Sequence, residues 1–271
     1  VYSLVLRISF APSDPGARYP SAPVSLRFGR EVANGLTRER TLMKLKAIPL
    51  ATALLPGIAV HVCYLLAAHQ GHISWCFPYF TDCVSISATG RHSPESVVFR
   101  AAIIPTAVLM MIYWSLNLEW LKALKTHMVR FNRAMVWLGI TAALGLFVYS
   151  SLLGEVGDLY RQQRRIGMIL FYFFTYLAQL LMTFQISSVM RTQGVPISVS
   201  TYWSLVAICS AVAILGAISL FSWGFYDDYR RYEDAFEWGL TLLLLGHTFI
   251  TYFAWRESGF QARFMIPKKR S

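Results

Sequence analysis

The sequence predicts an all-α membrane protein, a six-transmembrane-helix bundle with its N and C termini in the cytosol. Three observations support this fold class. Apolar residues make up 55% of the 271-residue chain and charged residues only 14%, whereas a soluble domain carries about 25% charged residues. The mean hydropathy is +0.46. Several apolar runs approach the roughly 20 residues that a helix needs to cross a bilayer.

The six predicted spans follow one another with short connections. They are about Ala47–Ala68, Ala101–Leu121, Ala134–Leu153, Gly167–Met190, Tyr202–Ser222 and Phe236–Trp255. Prolines occur within the first two spans, where neighbouring helices can satisfy the carbonyls that a proline leaves unpaired. The spans define a membrane domain, residues 45–258. It follows an N-terminal segment, 1–44, and precedes a basic cytosolic tail, 259–271.

Lysine and arginine gather on one side of the predicted bundle, and basic flanking loops stay in the cytosol. The basic groups lie before span one, between spans two and three, and after span six: Arg38, Arg40, Lys44, Lys46, Lys122, Lys125, Arg130, Arg133, Arg256, Arg263, Lys268, Lys269 and Arg270. The net charge is +11. Because the charge lies at span ends, we interpret it as contact with anionic headgroups and not as a nucleic-acid surface.

The first 44 residues differ in composition from the membrane domain. The stretch APSDPGARYPSAP is rich in proline, serine and glycine, a composition typical of disorder. The apolar start VYSLVLRISFA has no small-residue cleavage site after a basic region, so it is not typical of a signal peptide. The segment is therefore predicted to be either a disordered tail or a non-native extension.

The chain ends in KKRS, which places Lys268 and Lys269 fourth and third from the end. A lysine pair at these positions on a cytosolic tail is similar to the dilysine retrieval signal of endoplasmic-reticulum membrane proteins. A basic flank that follows the positive-inside rule would contain the same residues. Both interpretations remain open at this point.

The first outer loop, about residues 69–100, holds two of the four cysteines. Cys76 and Cys83 can form a disulfide if this loop faces an oxidising lumen, and two free thiols are the alternative. Zinc is disfavoured because the nearby histidines form no paired CxxC or HxxxH pattern with the cysteines. Neither a metal nor a cofactor is predicted.

The stretch SISATGRHSPESVVFR, residues 85–100, combines unusual backbone preferences with charge. Gly90 permits a turn that other residues resist. The tripeptide Ser93–Glu95 is typical of a helix start, with serine as the N-cap, proline at the first helical position and an acid against the positive helix end. This interpretation explains the second half of the stretch and leaves residues 85–90 unexplained.

At this loop the sequence resembles the Frag/DRAM/Sfk family of six-span membrane proteins, whose first luminal loop looks like P-S-I-S-A-x-x-G followed by P-E/Q-R and an aromatic–Arg pair. The matching residues are Ser85, Ile86, Ser87, Ala88, Gly90, Pro94, Glu95, Phe99 and Arg100. The stretches GDLYRQQRRIG and DAFEWGL also agree, so the resemblance covers about residues 45–258. Thr106 and Gln163 depart from the family, since its anchor-remodelling branch tends to have a histidine at the first position and its members commonly have one near the second.

The resemblance implies a role in GPI-anchor lipid remodelling or in the transport of GPI-anchored proteins, in the endoplasmic reticulum or Golgi, by binding lipid. The alternative that it implies is a non-enzymatic modulator of autophagy or of membrane lipid organisation, in the lysosome or plasma membrane. Membrane lipid is the expected partner, together with GPI-anchored proteins. A channel or transporter is disfavoured because charged residues avoid the span interiors.

Candidate site residues come from the outer loops and from ionisable groups inside spans, which are costly in hydrocarbon and indicate a functional interior. Glu237 and His247 lie about 15 Å apart along the sixth span. Either residue as a general base, with an outer-loop serine as nucleophile, would allow acyl chemistry; a basic rim that binds a headgroup is the alternative. The candidates for lipid or headgroup binding are Ser85, Ser87, Gly90, Pro94, Glu95, Arg100, Arg164, Glu237 and His247.

Overall fold

The computed structural model describes residues 5–10, 47–80, 83–124, 126, 128–193, 197–225 and 232–265. Within these ranges six helices are long and apolar enough to span a membrane, which confirms the predicted all-α six-span fold. They are α1 (Ala47–His69), α3 (Glu95–Ala123), α4 (Val129–Ser151), α5 (Asp158–Gln193), α6 (Val199–Phe225) and α7 (Glu233–Glu257), and a single turn, α2 (Ile86–Thr89), lies between α1 and α3. The cytosolic location of the termini stays a prediction.

The helices extend beyond the predicted spans where polar residues continue them. The helix α3 begins at Glu95 instead of Ala101, and α5 begins at Asp158 instead of Gly167. With 36 residues, α5 is about 54 Å long at 1.5 Å per residue, whereas the hydrocarbon layer is about 30 Å thick. An apolar run therefore identifies the membrane-crossing part of a helix and not its polar ends.

The start of α3 contradicts the predicted cap. Pro94 occupies the N-cap position, makes no side-chain capping hydrogen bond and follows a cis peptide bond from Ser93. Ser93 therefore lies one position too early to cap the helix. Glu95 is the first helical residue, as an acid near the positive helix end should be, but it is fully buried.

The six long helices form a closed ring. The helix α4 packs between α3 and α5, α1 packs between α3 and α7, and α6 completes the ring between α7 and α5. Of the six, α6 has the smallest buried share. We call the end of the bundle that carries residues 70–80 and 83–94 the loop face, and the opposite end the tail face.

A two-stranded antiparallel sheet lies at the tail face. Strand β1 (Val5–Phe10) pairs with β2 (Phe260–Met265), with Val5 opposite Met265 and Phe10 opposite Phe260. Strand β1 covers residues 5–10 of segment 1–44, where β-branched and aromatic residues favour a strand once a partner strand is present; a disordered tail or a non-native extension stays the prediction for that segment. The rest of that segment lies outside the described residues, as do Lys268 and Lys269.

Candidate functional site

A cavity lies inside the ring, between α1, α3, α4, α5 and α7, with α2 at its loop-face end. Its volume is about 60 Å³. The free space is therefore narrow. Most of its lining is apolar, with side chains such as Val60, Ile103, Met110 and Leu146, so the chemistry of the cavity suits a hydrocarbon chain.

Three polar atoms in the cavity wall have no hydrogen-bond partner among the described residues: Trp114 Nε1, Tyr149 Oη and Thr175 Oγ1. The three residues are only 1%, 7% and 3% exposed. Buried polar atoms in proteins are nearly always paired. The wall residues thus carry two hydroxyls and an indole N–H that no described group pairs, and each can donate a hydrogen bond.

Glu237 brings a carboxyl group to the loop-face end of the cavity. Its Oε2 accepts a hydrogen bond of 3.2 Å from the backbone N–H of Ile86. One turn further along α7, Thr241 shares a hydrogen bond of 2.5 Å with the hydroxyl of Tyr172 on α5. All four residues line the cavity. The same end of the cavity therefore contains a carboxyl group and two hydroxyls.

Trp238, the next residue on α7, binds the same stretch of loop. Its Nε1 donates a hydrogen bond of 2.9 Å to Val84 O, and its ring lies edge-on to those of His61, Tyr64 and Tyr79 at centroid distances of 5.4–6.3 Å. Together with Glu237 it fixes the backbone of residues 84–86. The loop is thereby held over the cavity, with Ile86 covering its loop-face end.

The rest of the first outer loop is fastened to α1. Cys76 and Cys83 form a disulfide. The hydroxyl of Tyr64 donates to Cys76 O at 2.5 Å and accepts from Cys76 N at 2.9 Å. Burial raises the pKa of Tyr79, so its hydroxyl keeps its proton and donates to His61 Nε2 at 2.9 Å.

The two candidate serines make local hydrogen bonds. Ser85 caps α2, because its hydroxyl accepts from Ala88 N at 3.2 Å, and it lies 3.0 Å from the Ser87 hydroxyl. Glu237 contacts the backbone between them and not a hydroxyl in the described contacts. Gly90 has no room for a side chain, because a Cβ there would lie 2.7 Å from the ring of Phe99.

Glu95 and the two candidate arginines bind protein groups at the loop face. Glu95 Oε1 accepts from His72 Nδ1 at 2.9 Å, which ties the start of the loop to α3. Arg100 donates to Leu153 O, and Arg164 donates to the carbonyls of residues 152 and 155 at 3.0 and 2.7 Å. Both arginines therefore hold the loop between α4 and α5.

His247 lies apart from the other candidates. It is fully buried, and its Nε2 lies 2.9 Å from Thr183 Oγ1 on α5. One turn away, Gln179 donates to Leu244 O at 2.8 Å. These bonds join α5 to α7, and His247 is not among the residues that line the cavity. The structure therefore groups Glu237 with the loop and separates His247 from both.

Sequence reasoning missed most of the polar cavity wall: Trp114, Tyr149, Tyr172, Thr175 and Thr241. Tyrosine, threonine and tryptophan are common in spans, so their identity alone does not distinguish a cavity wall from a helix contact. One signal was present, since Met168, Tyr172 and Thr175 recur at i, i+4 and i+7 and so share one face of α5. Within the described residues, no three His, Cys, Asp or Glu side chains are arranged to hold a metal.

The family model of the Frag1/DRAM/Sfk1/Cwh43P N-terminal domain matches residues 44–257. This range contains all the residues that line the cavity, and the match confirms the family predicted from the first outer loop. No curated protein and no solved structure matches the chain.

Proposed function

Because the chain belongs to the Frag1/DRAM/Sfk1/Cwh43P N-terminal domain family, we propose that it binds a membrane lipid inside its helix bundle and acts in GPI-anchor lipid remodelling or in the transport of GPI-anchored proteins. The observation that carries lipid binding is the narrow apolar cavity with a polar loop-face end. Membership of the family supports the part of the proposal that concerns GPI anchors. The proposed location is the endoplasmic reticulum or Golgi.

The apolar and polar parts of the cavity wall suit different parts of a lipid. One acyl chain lies along the apolar wall, and its ester or glycerol oxygens reach the group formed by Glu237, Tyr172 and Thr241. An acyl chain gains little by leaving one hydrocarbon environment for another. Affinity therefore comes mainly from the polar contacts, and Tyr149 and Thr175 supply unpaired hydroxyls for them.

Binding, and not catalysis, is the activity that these contacts support. A serine nucleophile needs a base within hydrogen-bond reach, whereas the hydroxyls of Ser85 and Ser87 bond to each other and to the cap of α2. Glu237 is engaged with a backbone N–H. The chain therefore acts as a lipid-binding component that presents or retains its ligand.

The test is Tyr149→Phe, which removes one unpartnered hydroxyl and keeps the shape of the wall. Its matched control is Tyr160→Phe, on the exposed start of α5 (Tyr160 is 40% exposed). We expect Tyr149→Phe to lower the lipid that co-purifies with the protein about tenfold, since a hydrogen bond is worth about 1–1.5 kcal/mol. The thermal stability of the lipid-free protein should not change, because no described group bonds to this hydroxyl.

The cellular test uses cells that have lost GPI-anchor lipid remodelling, with surface display of GPI-anchored proteins as the readout. The wild type and Tyr160→Phe should restore display, and Tyr149→Phe should not, at equal expression. Absence of bound lipid in the wild type would overturn the binding proposal. Bound lipid without restored display would overturn the GPI assignment and favour a modulator of autophagy or of membrane lipid organisation.

A further inference from the structure

A second open space lies on the outer surface of the bundle, in the groove between α1 and α7. It is lined by apolar side chains and two glycines, Gly57 and Gly246, with His61 as its one ionisable residue. Its volume is about 540 Å³, against about 60 Å³ for the cavity. Both helices are candidate membrane spans, so this groove faces the acyl chains of the bilayer.

One side chain borders both the groove and the cavity. Leu245 lines both spaces, and on α1 the neighbouring residues divide between them, since Pro56 lines the cavity and Gly57 the groove. Leu245 Cδ1 lies 3.5 Å from the position that a Cβ on Gly57 would occupy. The wall is thus a leucine side chain over a glycine, and a change of leucine rotamer is a fast, low-energy motion.

We infer that the α1–α7 groove is a lateral portal through which an acyl chain of a bilayer glycerolipid enters the cavity, with Leu245 as its gate. This inference rests on the proposed lipid-binding function. The loop-face route is covered, because Ile86 lies over the end of the cavity and is held by Glu237 and Trp238 through residues 84–86. On the lateral route, Leu245 is the residue that borders both the groove and the cavity.

His61 lies in the half of the portal nearer its loop-face end. Its Nδ1 donates to Gly57 O at 2.6 Å, because a carbonyl can only accept, and its Nε2 accepts from Tyr79 Oη at 2.9 Å. The ring is therefore fixed between the portal glycine and the outer loop. A lipid in the groove has its glycerol and headgroup towards this end and its chains along Ile58 and Leu242.

The chemistry of the cavity favours an esterified chain over a free fatty acid. A fatty acid would bring its carboxyl group close to that of Glu237, and two neighbouring carboxylates disfavour each other's ionisation. An ester has no such charge and offers a carbonyl that the hydroxyls of Tyr149 and Thr175 can bind. The cavity behind the portal therefore favours a chain that is still part of a membrane lipid.

The test measures how fast lipid reaches the cavity. Delipidated protein in detergent is mixed with micelles that contain a phospholipid with a photoactivatable acyl chain, and samples are irradiated at successive times. The label on each peptide is mapped to single residues, so that label at Met168 reports the cavity and label at Ile58 reports the groove. The variant Gly57→Leu fills the portal beside Leu245. The matched control is Gly216→Leu on α6, where a new Cβ has no heavy atom within 4 Å.

We expect Gly57→Leu to slow labelling of the cavity about tenfold, which corresponds to a barrier raised by about 1.4 kcal/mol, and to reach the same final level. Gly216→Leu should match the wild type. Leu245→Ala should accelerate cavity labelling, and it tests the gate even if Gly57→Leu fails to fold.

Cavity labelling at equal rates in the wild type, Gly57→Leu and Leu245→Ala would overturn the portal and leave lipid binding intact. No cavity labelling in the wild type would overturn the portal and the proposed function together. A photoactivatable fatty acid that labels the cavity more strongly than the phospholipid would overturn the choice of an esterified chain.

Discussion

Glu237 contributes two separable features to the site, a hydrogen-bond acceptor and an acidic group. The acceptor binds the N–H of Ile86 and holds the loop over the cavity. The acid faces the cavity itself. A glutamine at this position keeps an acceptor oxygen and loses the acid, whereas an alanine loses both. The two substitutions therefore separate the structural role from the ligand-binding role.

We expect Glu237→Ala to destabilise the protein by about 1–3 kcal/mol, because a buried N–H is left unpaired, and Glu237→Gln to remain close to the wild type. Thermal unfolding of the purified protein measures both. The exposed acid Glu233, in the first turn of the same helix, provides the control substitution Glu233→Ala. If Glu237→Gln were as unstable as Glu237→Ala, the acidic group and not the acceptor would hold the loop.

Glu237 was predictable from sequence because a carboxyl group within an apolar span is conspicuous. Tyr149 and Thr175 were not, since their importance comes from an unpaired hydroxyl, and pairing depends on neighbours from other helices. His247 is the opposite case, a residue that is conspicuous in the sequence but does not line the cavity. Its position in a span was correctly seen as unusual, yet its partner is Thr183, so sequence alone does not distinguish an interhelical contact from a cavity residue.

The contact between α4 and α5 depends on two glycines that face each other. A Cβ on Gly145 would lie 2.7 Å from Gly167 O, and a Cβ on Gly167 would lie 2.7 Å from Gly145 O and 3.0 Å from Tyr149 N. Small residues allow such close approach of membrane helices. Tyr149 on α4 and Phe171 on α5 flank the contact and line the cavity, so the glycine pair sets the width of the cavity at this wall.

We expect Gly167→Ala to destabilise the bundle by about 1–3 kcal/mol, since overpacking forces backbone to move, and to lower lipid binding by displacing Tyr149. Thermal unfolding and co-purified lipid are the two measurements. Gly216→Ala is the control, because its Cβ meets no heavy atom within 4 Å. A Gly167→Ala protein that retained both stability and lipid would show that the cavity wall tolerates separation of α4 from α5.

The number and order of the long helices were predictable, because length and apolar composition suffice to recognise a span. Three features of the elements were not. The single turn α2 depends on the cap by Ser85 and on distant contacts with α7. The strand pair joins residues about 255 positions apart, and closing so long a loop leaves no local signal. The cavity itself depends on how five helices pack.

The ring as a whole separates two chemical environments. The tail face carries basic residues such as Lys122, Arg133 and Arg256, whereas the loop face carries the disulfide and the carboxylates of Glu155 and Asp158. The positive-inside rule assigns the tail face to the cytosol, and the disulfide favours an oxidising compartment for the loop face. We therefore expect the portal and the polar end of the cavity to lie in the luminal leaflet.

This orientation predicts opposite accessibility for two epitope tags. One is inserted after Val156, which is 91% exposed in the loop between α4 and α5, and the other is fused to the C-terminus. In cells whose plasma membrane alone is permeabilised, an antibody should reach the C-terminal tag and should reach the loop tag only after full permeabilisation, because the organelle membrane separates them. Restored GPI-anchored protein display by both tagged proteins serves as the control for folding.

The loop-tagged protein, whose C-terminus is free, tests the lysine pair, because a dilysine signal acts only from the cytosolic side. We expect Lys268→Ser plus Lys269→Ser to move the protein from the early secretory pathway towards the cell surface, as measured by surface biotinylation. Arg256→Ser plus Arg263→Ser removes the same charge from the tail face and should leave location unchanged. Equal surface arrival of both double variants would identify the lysines as part of a basic flank. In the tag experiment, a loop tag that the antibody reaches before full permeabilisation would reverse the orientation of the whole bundle.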